Sequence, residues 1–236
     1  GDKYKIYNLP FPFYRYRMHK SNKTKSVEYL KNFKEKILKI NFQKLSRDKK
    51  KLLKNIIAII PARGNSKRFK HKNIFKIKNK PMIVYTIDAC KNSNLIKHTF
   101  VSSENKKILK ISKKNKANII ERPNNLSKDN VFKMDVVKHA LLKIEKKLRT
   151  KATIVASLQA NSPEISSTDI DNSIMKLITN DLNEVISIDK NLNSNAAIRV
   201  MKRDTVFQNA LSTYLGCIRT NINDIHYKSD IKKIKF

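Results

Sequence analysis

From residue 56 onward, apolar positions follow two alternating rhythms. Apolar runs of strand length lie at 56–60, 98–102, 117–120, 152–158, 184–188 and 213–219. Between them, apolar residues recur at helical spacing near 81–92, 105–115, 132–147, 168–179 and 229–235. Strands alternating with amphipathic helices predict an α/β fold with a doubly wound, mostly parallel sheet, because parallel neighbours need a crossover that a helix supplies. Pro81 suits the first position of its helix, where no N–H is needed. Ser167-Thr168-Asp169 offers capping side chains for the helix that follows.

Residues 1–54 lack this rhythm. Leu9-Pro10-Phe11-Pro12-Phe13-Tyr14-Arg15-Tyr16-Arg17-Met18-His19 is aromatic and broken by prolines, which suits an extended edge or loop. A helical pattern then runs from Ser26 to about Leu45, with Val27, Leu30, Phe33, Ile37, Leu38 and Phe42 as its apolar positions. One helix cannot bury a core of its own, so 1–54 reads as an extension of a domain at 55–236. Ser46 to Asn55 reads as a charged connector between them.

The first strand-like run opens into the richest candidate chemistry in the chain. Ile56-Ile57-Ala58-Ile59-Ile60 breaks at Pro61 and enters a loop with Arg63, Lys67, Arg68, Lys70 and Lys72 around Gly64, one of only three glycines. A buried strand leading into a glycine-containing, cationic loop is what a polyphosphate site at the carboxyl end of an α/β sheet needs. Gly64 lets the backbone bend or approach a phosphate closely, and the cations offset its charge. A basic surface loop after a core strand is the plainer alternative. With glycines only at positions 1, 64 and 216, neither G-x-G-x-x-G nor G-x-x-x-x-G-K-[ST] can occur. Dinucleotide-binding oxidoreductases and P-loop NTPases are therefore poor fits.

Composition changes this picture little. A net charge of +33 would ordinarily point to nucleic acid. Here the cations are mostly Lys, spread over the whole chain among Asn and Ile. Aromatic–basic interleaving is confined to Tyr14-Arg15-Tyr16-Arg17, and no specific nucleic-acid partner is expected. No apolar run approaches the ~20 residues that span a bilayer, and no signal-peptide pattern is present. Cys90 and Cys217 lie in apolar segments and read as buried reduced thiols, which fits a cytoplasmic setting.

Residue order sharpens the reading of the loop. P-A-R-G-x-S-K-R followed by K-N resembles the nucleotide-binding signature of the acylneuraminate (CMP-sialic acid type) cytidylyltransferases, with Asn65 where a second glycine is common. The resemblance covers roughly 55–236 and implies a sheet of the nucleotide-diphospho-sugar transferase type. It implies that the anomeric hydroxyl of a sialic-acid-like, nonulosonic sugar attacks the α-phosphorus of CTP, giving CMP-sugar and pyrophosphate. Arg63, Lys67 and Lys72 are then the catalytic cations on the triphosphate. Ala62, Gly64 and Ser66 line the nucleotide, and Asn73 helps read the cytosine.

Later motifs carry the resemblance with departures. Val101-Ser102-Ser103-Glu104 stands where V-S-T-D is usual. Glu121-Arg122-Pro123-x-x-Leu126-Ser127-x-Asp129 resembles R-P-x-x-L-A-x-D. That makes Arg122 a nucleotide-binding candidate and Asp129 a substrate-side residue that orients a neighbour; surface charge and helix capping are their plainer roles. Val131, Phe132 and Lys133 replace small residues. Ser157-Leu158-Gln159-Ala160-Asn161-Ser162-Pro163 resembles L-L-Q-P-T-S-P. Gln159, with both donor and acceptor, is a sugar-binding candidate, and satisfying loop backbone is its alternative. Glu164-Ile165 stands where L-R is common, so an expected arginine is missing.

Between Asp189 and Ala210 there is room for only a short form of the insertion that contacts the sugar and builds a dimer in this family. Its cations would be Arg199, Lys202 and Arg203. Asn223-Asp224-Ile225-His226-x-x-x-Asp230-Ile231 resembles I-D-I-D-T-x-x-D-L, which retains Asp224 as a Mg²⁺ ligand and puts His226 in place of the second aspartate. A homodimer is a further implication.

At the other end, Tyr14-Arg15-Tyr16-Arg17-Met18-His19-x-x-Asn22-x-Thr24 resembles the last part of family 2 glycosyltransferase domains. Residues 1–54 are therefore expected to be the stub of a fused upstream glycosyltransferase, with a basic, partly helical extension as the alternative. The altered metal and sugar positions leave two other readings open: another sugar nucleotidyltransferase, or a degenerate, non-catalytic nucleotide-sugar binding domain.

Overall fold

The computed structural model describes residues 45–66 and 68–235, together with Gln43. One compact unit runs from Ser46 to Phe236. The aromatic N-terminal stretch, nearly all of its helical pattern and the expected glycosyltransferase stub lie outside the described residues, as does Lys67.

The segment read as a connector holds a short helix, α1 (Arg47–Leu52), that the apolar pattern could not reveal because it buries no residue. Ser46 caps it by accepting from the Lys49 N–H, and Asp48 in the first turn with lysines in the last suits the helix dipole. β1 (Ile56–Pro61) follows, then a small hairpin of β2 (Lys76–Ile77) and β3 (Lys80–Pro81). Next come α2 (Met82–Lys91), β4 (His98–Ser103), α3 (Lys106–Lys114), β5 (Asn118–Glu121) and α4 (Lys133–Leu148). The remainder is β6 (Ile154–Leu158), α5 (Ser167–Thr179), β7 (Glu184–Ile188), β8 (Ser194–Lys202) and β9 (Leu215–Arg219). Among the described residues no helix is long and apolar enough to cross a membrane.

The main sheet has seven strands in the order β5-β4-β1-β6-β8-β7-β9. β5, β4, β1 and β6 run parallel, with Ile57 opposite His98 on one side and Val155 on the other. β7 and β9 are also parallel, while β8 is antiparallel to both of its neighbours. β1 sits inside the sheet, and Ile56, Ile57, Ile59 and Ile60 are all fully buried. A strand covered on both faces reads as one continuous apolar run rather than an alternation, which is why its sequence was so legible. One face packs Ile57, Ile59, Phe100 and Val155 against Val137, Leu141 and Ile144 of α4. The mostly parallel, doubly wound expectation holds.

Two helix ends differ in detail. The cap of α5 is Ser166, whose hydroxyl accepts from the Asp169 N–H at 3.1 Å while Asp169 returns the bond, one residue before the expected capping run. The helical pattern at 229–235 is a tight 3₁₀ segment over Lys228–Lys233.

The larger correction is β8. The stretch expected to carry a short insertion, with Arg199, Lys202 and Arg203 as its cations, threads a strand into the sheet. Arg199 donates from Nε and Nη2 to Glu184 Oε2 at 2.8 and 2.7 Å, and the Glu184 side chain is fully buried. Lys202 pairs with Asp181 at 2.8 Å, and Arg203 pairs with Glu145 at 2.9 Å. These three cations are held by carboxylates that support the sheet.

Replacing Arg199 by Met should therefore strand the Glu184 carboxylate in the core. A loss of about 3 kcal/mol is expected in urea unfolding followed by circular dichroism. An unchanged midpoint would show that the pair does not support the sheet.

Candidate active site

The site begins where β1 ends. The Ala62 N–H still donates to the Ser102 carbonyl at 2.9 Å, so the ladder with β4 continues one residue past the strand before the chain lifts away. Ala62 is buried, so only its main chain can serve a ligand.

Glu104 then fixes the loop. Its Oε1 accepts from the Gly64 N–H at 2.6 Å. Its Oε2 accepts from Arg122 Nη2 at 2.8 Å, from Arg122 Nε at 3.1 Å and from the Ser127 hydroxyl at 2.8 Å. Burial alone would raise this carboxyl, but the bonds from Gly64, Ser127 and Arg122 outweigh it and hold Glu104 below the usual carboxylate range. Arg122 is only 5% exposed. Its guanidinium is therefore a buried brace between the Gly64 loop and the loop after β5.

Gly64 has no positive φ, so its conformation does not require glycine. Proximity does. A Cβ at position 64 would stand 2.4 Å from Asn105 Nδ2 and 2.7 Å from Asn105 Cβ. Asn105 is itself committed as the cap of α3, accepting from the N–H groups of Lys107 and Ile108 at 2.9 and 3.2 Å. The close approach that glycine permits is to the head of α3.

The far end of the loop is held from below. Asn73 is buried, and its Nδ2 donates to the Arg63 carbonyl at 2.9 Å. Lys72 Nζ donates to the Ile225 carbonyl at 2.9 Å, and Asn161 Nδ2 donates to the same oxygen at 3.0 Å. Burial lowers the Lys72 ammonium; the nearby Asp224 charge opposes that shift, and Arg63 and Arg68 reinforce it.

Arg63, Ser66, Lys72, Asn73, Arg122, Asp129 and Gln159 all line one cavity of about 360 Å³, together with Lys133 and His226. Gly64 lines an adjoining cavity of about 550 Å³ that also reaches Ser66 and Asp129. Arg63 Nη1 and Asp129 Oδ1 meet at 2.5 Å, so the residue expected to orient a neighbour grips a catalytic candidate. Gln159 is held by its backbone, with its N–H donating to the Ala197 carbonyl at 3.0 Å and its carbonyl accepting from the Thr86 hydroxyl at 2.9 Å. Among the described residues its carboxamide makes no hydrogen bond, leaving it available to a ligand.

Asp224 lies beside this cavity and accepts from the Ser162 hydroxyl. Burial raises its carboxyl, against the pull of Ser162, His226, Lys133 and Lys72. Among the described residues, no three His, Cys, Asp or Glu side chains are grouped to hold a metal ion. Glu164, which stands where an L-R pair was expected to begin, is occupied by the backbone N–H groups of Asn223 and Lys235, both at 2.8 Å.

One site residue was missed. Lys133, the first residue of α4, places its ammonium in the cavity, and Nζ donates to the Ala196 carbonyl at 3.3 Å. Burial holds that ammonium down to about 8, with Asp224 opposing and Arg199 reinforcing the shift. Its only signal in the sequence was a lysine standing where small residues were expected.

The cytidylyltransferase family profile matches residues 57–217, more than half of the chain. This chain belongs to the cytidylyltransferase family. It is 37% identical over 119 residues to post-translational flagellin modification protein B of Campylobacter coli, covering 50% of this chain and 51% of that one. It is 36% identical over 109 residues to CMP-N,N'-diacetyllegionaminic acid synthase of Campylobacter jejuni, covering 46% of each. With N-acylneuraminate cytidylyltransferase of Escherichia coli the identity is 34% over 115 residues, covering 49% of this chain and 26% of that one. The chain thus spans about half the length, or less, of these curated relatives.

Among solved structures, CMP:2-keto-3-deoxy-manno-octonic acid synthetase complexed with CTP superposes with a TM-score of 0.60 at 14% identity, covering 76% of this chain and 96% of that one. The 4-diphosphocytidyl-2C-methyl-D-erythritol synthase of Anaerococcus prevotii gives 0.57 at 14% identity, covering 80% and 97%. At such identities the likeness is one of fold, and it agrees with the nucleotide-diphospho-sugar transferase type expected.

In this chain the segment after Asp224 is pinned by Asp230, which accepts from the N–H groups of His226 and Tyr227 at 2.9 and 2.8 Å and from Lys233 Nζ at 2.9 Å. The Tyr227 N–H, Lys233 and the His226 N–H together pull its carboxyl from an ordinary 3.8 to about 2. A carboxyl lowered on folding stabilises the protein fully above its unfolded value and loses that contribution as pH falls through its folded value. Acid unfolding should therefore steepen as pH falls from about 4 towards 2, and Asp230→Asn should flatten that limb. Identical acid limbs for the two proteins would contradict this role.

Proposed function

We propose that this chain activates a sialic-acid-like sugar acid with CTP, releasing pyrophosphate and a CMP-sugar. The observation that carries the reading is the convergence of Arg63, Lys72 and Gln159 on one cavity at the carboxyl ends of β1 and β6. Relatives named for CMP-sugar and N-acylneuraminate chemistry support the substrate class.

The triphosphate lies along the Gly64 loop, where Arg63, Ser66 and Lys72 meet its charge. Lys67 joins them in the same reading. Phosphoryl-type transfer needs positioning and charge stabilisation more than covalent help from the protein. The sugar hydroxyl attacks the α-phosphorus and yields its proton to solvent, the bond from that phosphorus to the α,β-bridging oxygen breaks, and pyrophosphate leaves against Arg63 and Lys72. In the free protein Asp129 occupies Arg63. The incoming phosphate takes over that guanidinium, and Asp129 is left to steer it. Arg122 and Asn73 serve the nucleotide by fixing the loop around it. Gln159 offers its carboxamide to the sugar.

Asp224 fits Mg²⁺ as one carboxylate completed by phosphate and water oxygens, a common way of holding magnesium on a nucleotide. His226 is a poor oxygen-site substitute. The ion, when bound, offsets triphosphate charge. A homodimer, a cytoplasmic setting and a fused upstream glycosyltransferase belong to the same proposal. The single carboxylate favours one alternative, a non-catalytic nucleotide-sugar binding domain.

Incubation with CTP, Mg²⁺ and a panel of nonulosonic acids should release pyrophosphate, and Arg63→Ala should lower turnover by about 10²-fold or more. Calorimetric CTP binding without pyrophosphate from any sugar would favour the non-catalytic domain. Turnover unchanged in Arg63→Ala would sink the mechanism.

A further inference from the structure

The cations around the cavity are not equivalent. Arg122 is neutralised by Glu104 and Arg63 is paired with Asp129. Lys72 is anchored to the Ile225 carbonyl at 2.9 Å, an oxygen that Asn161 also holds. Lys133 stands at the start of α4. Its Nζ reaches the Ala196 carbonyl at 3.3 Å, a long bond, and no carboxylate among the described residues lies within ion-pair distance of it. Ala196 immediately precedes Ala197, whose carbonyl holds the Gln159 N–H at 3.0 Å. Lys133 and the unengaged carboxamide of Gln159 therefore share the β6–β8 end of the cavity, with Val131 and Val136 as apolar lining.

The geometry points to Lys133 as the residue that selects an acid sugar, its ammonium and the Gln159 carboxamide together holding the sugar carboxylate. This rests on the function proposed above and names the cation for its sugar half.

One ammonium beside one neutral amide donor matches a group carrying a single negative charge and two acceptor oxygens. A triphosphate needs more cations, such as Arg63 and Lys72 together. The valines suit the carbon skeleton of a sugar better than a phosphate chain.

Calorimetric titrations test this without turnover, in the presence of a CTP analogue whose α,β-bridge is methylene. The probes are N-acetylneuraminate and pseudaminic acid, each beside its C1 carboxamide. The native protein should prefer acid over carboxamide by about tenfold or more, as expected for a charged hydrogen bond. Lys133→Met should abolish that preference while leaving carboxamide and CTP-analogue affinities within about twofold, and Lys133→Arg should retain it. A folded Lys133→Met protein that keeps the preference would overturn the assignment. So would one that loses acid and carboxamide binding alike. If the native protein binds the CTP analogue but neither acid, the Lys133 assignment fails and the nucleotide half of the site stands. If it fails to bind the CTP analogue, the proposed function itself fails.

Discussion

The site depends on one carboxylate. Glu104 accepts from the Gly64 N–H with one oxygen and from Arg122 and Ser127 with the other, so the loop after β1, the end of β4 and the loop after β5 share a single anchor. Without it, the Arg122 guanidinium would be buried and unpaired, a state far costlier than the pair is favourable. The absence of a side chain at Gly64 is what lets the loop come down onto that anchor beside Asn105. The sheet sets the stage: β1 lies between β4 and β6, so the chain segments leaving all three sit side by side.

Much of the fold was legible because its inner strands are buried on both faces and read as continuous apolar runs. β8 was not. Ser194, Asn195 and Arg199 interrupt its apolar pattern, and the partner that makes Arg199 tolerable, Glu184, lies on the neighbouring strand. A buried ion pair between strands leaves no local signature. α1 escaped for the opposite reason, being charged throughout and burying nothing.

At the site, residue order singled out the loop but carried no sign of what holds each member in place. Asn73 and Arg122 read as ligand contacts; both line the cavity, and both also hold the loop. Glu104 read only as a longer version of the usual aspartate. One of its oxygens reaches the Gly64 backbone while the other keeps Arg122, a relation that spacing cannot express. Lys133 registered as a departure from small residues. Its meaning came from the cavity it shares with Gln159 and from its reach to the Ala196 carbonyl of β8.

Calorimetric titration of CTP into the native protein and into Glu104→Gln tests most directly whether CTP binds at the loop that Glu104 anchors. Circular dichroism confirms that the variant is folded. CTP should bind the native protein and bind the variant about tenfold more weakly or worse, since Gln offers one neutral acceptor where the loop and Arg122 need a charged carboxylate. Equal affinity in a folded variant, or no binding to the native protein, would contradict that placement of the nucleotide.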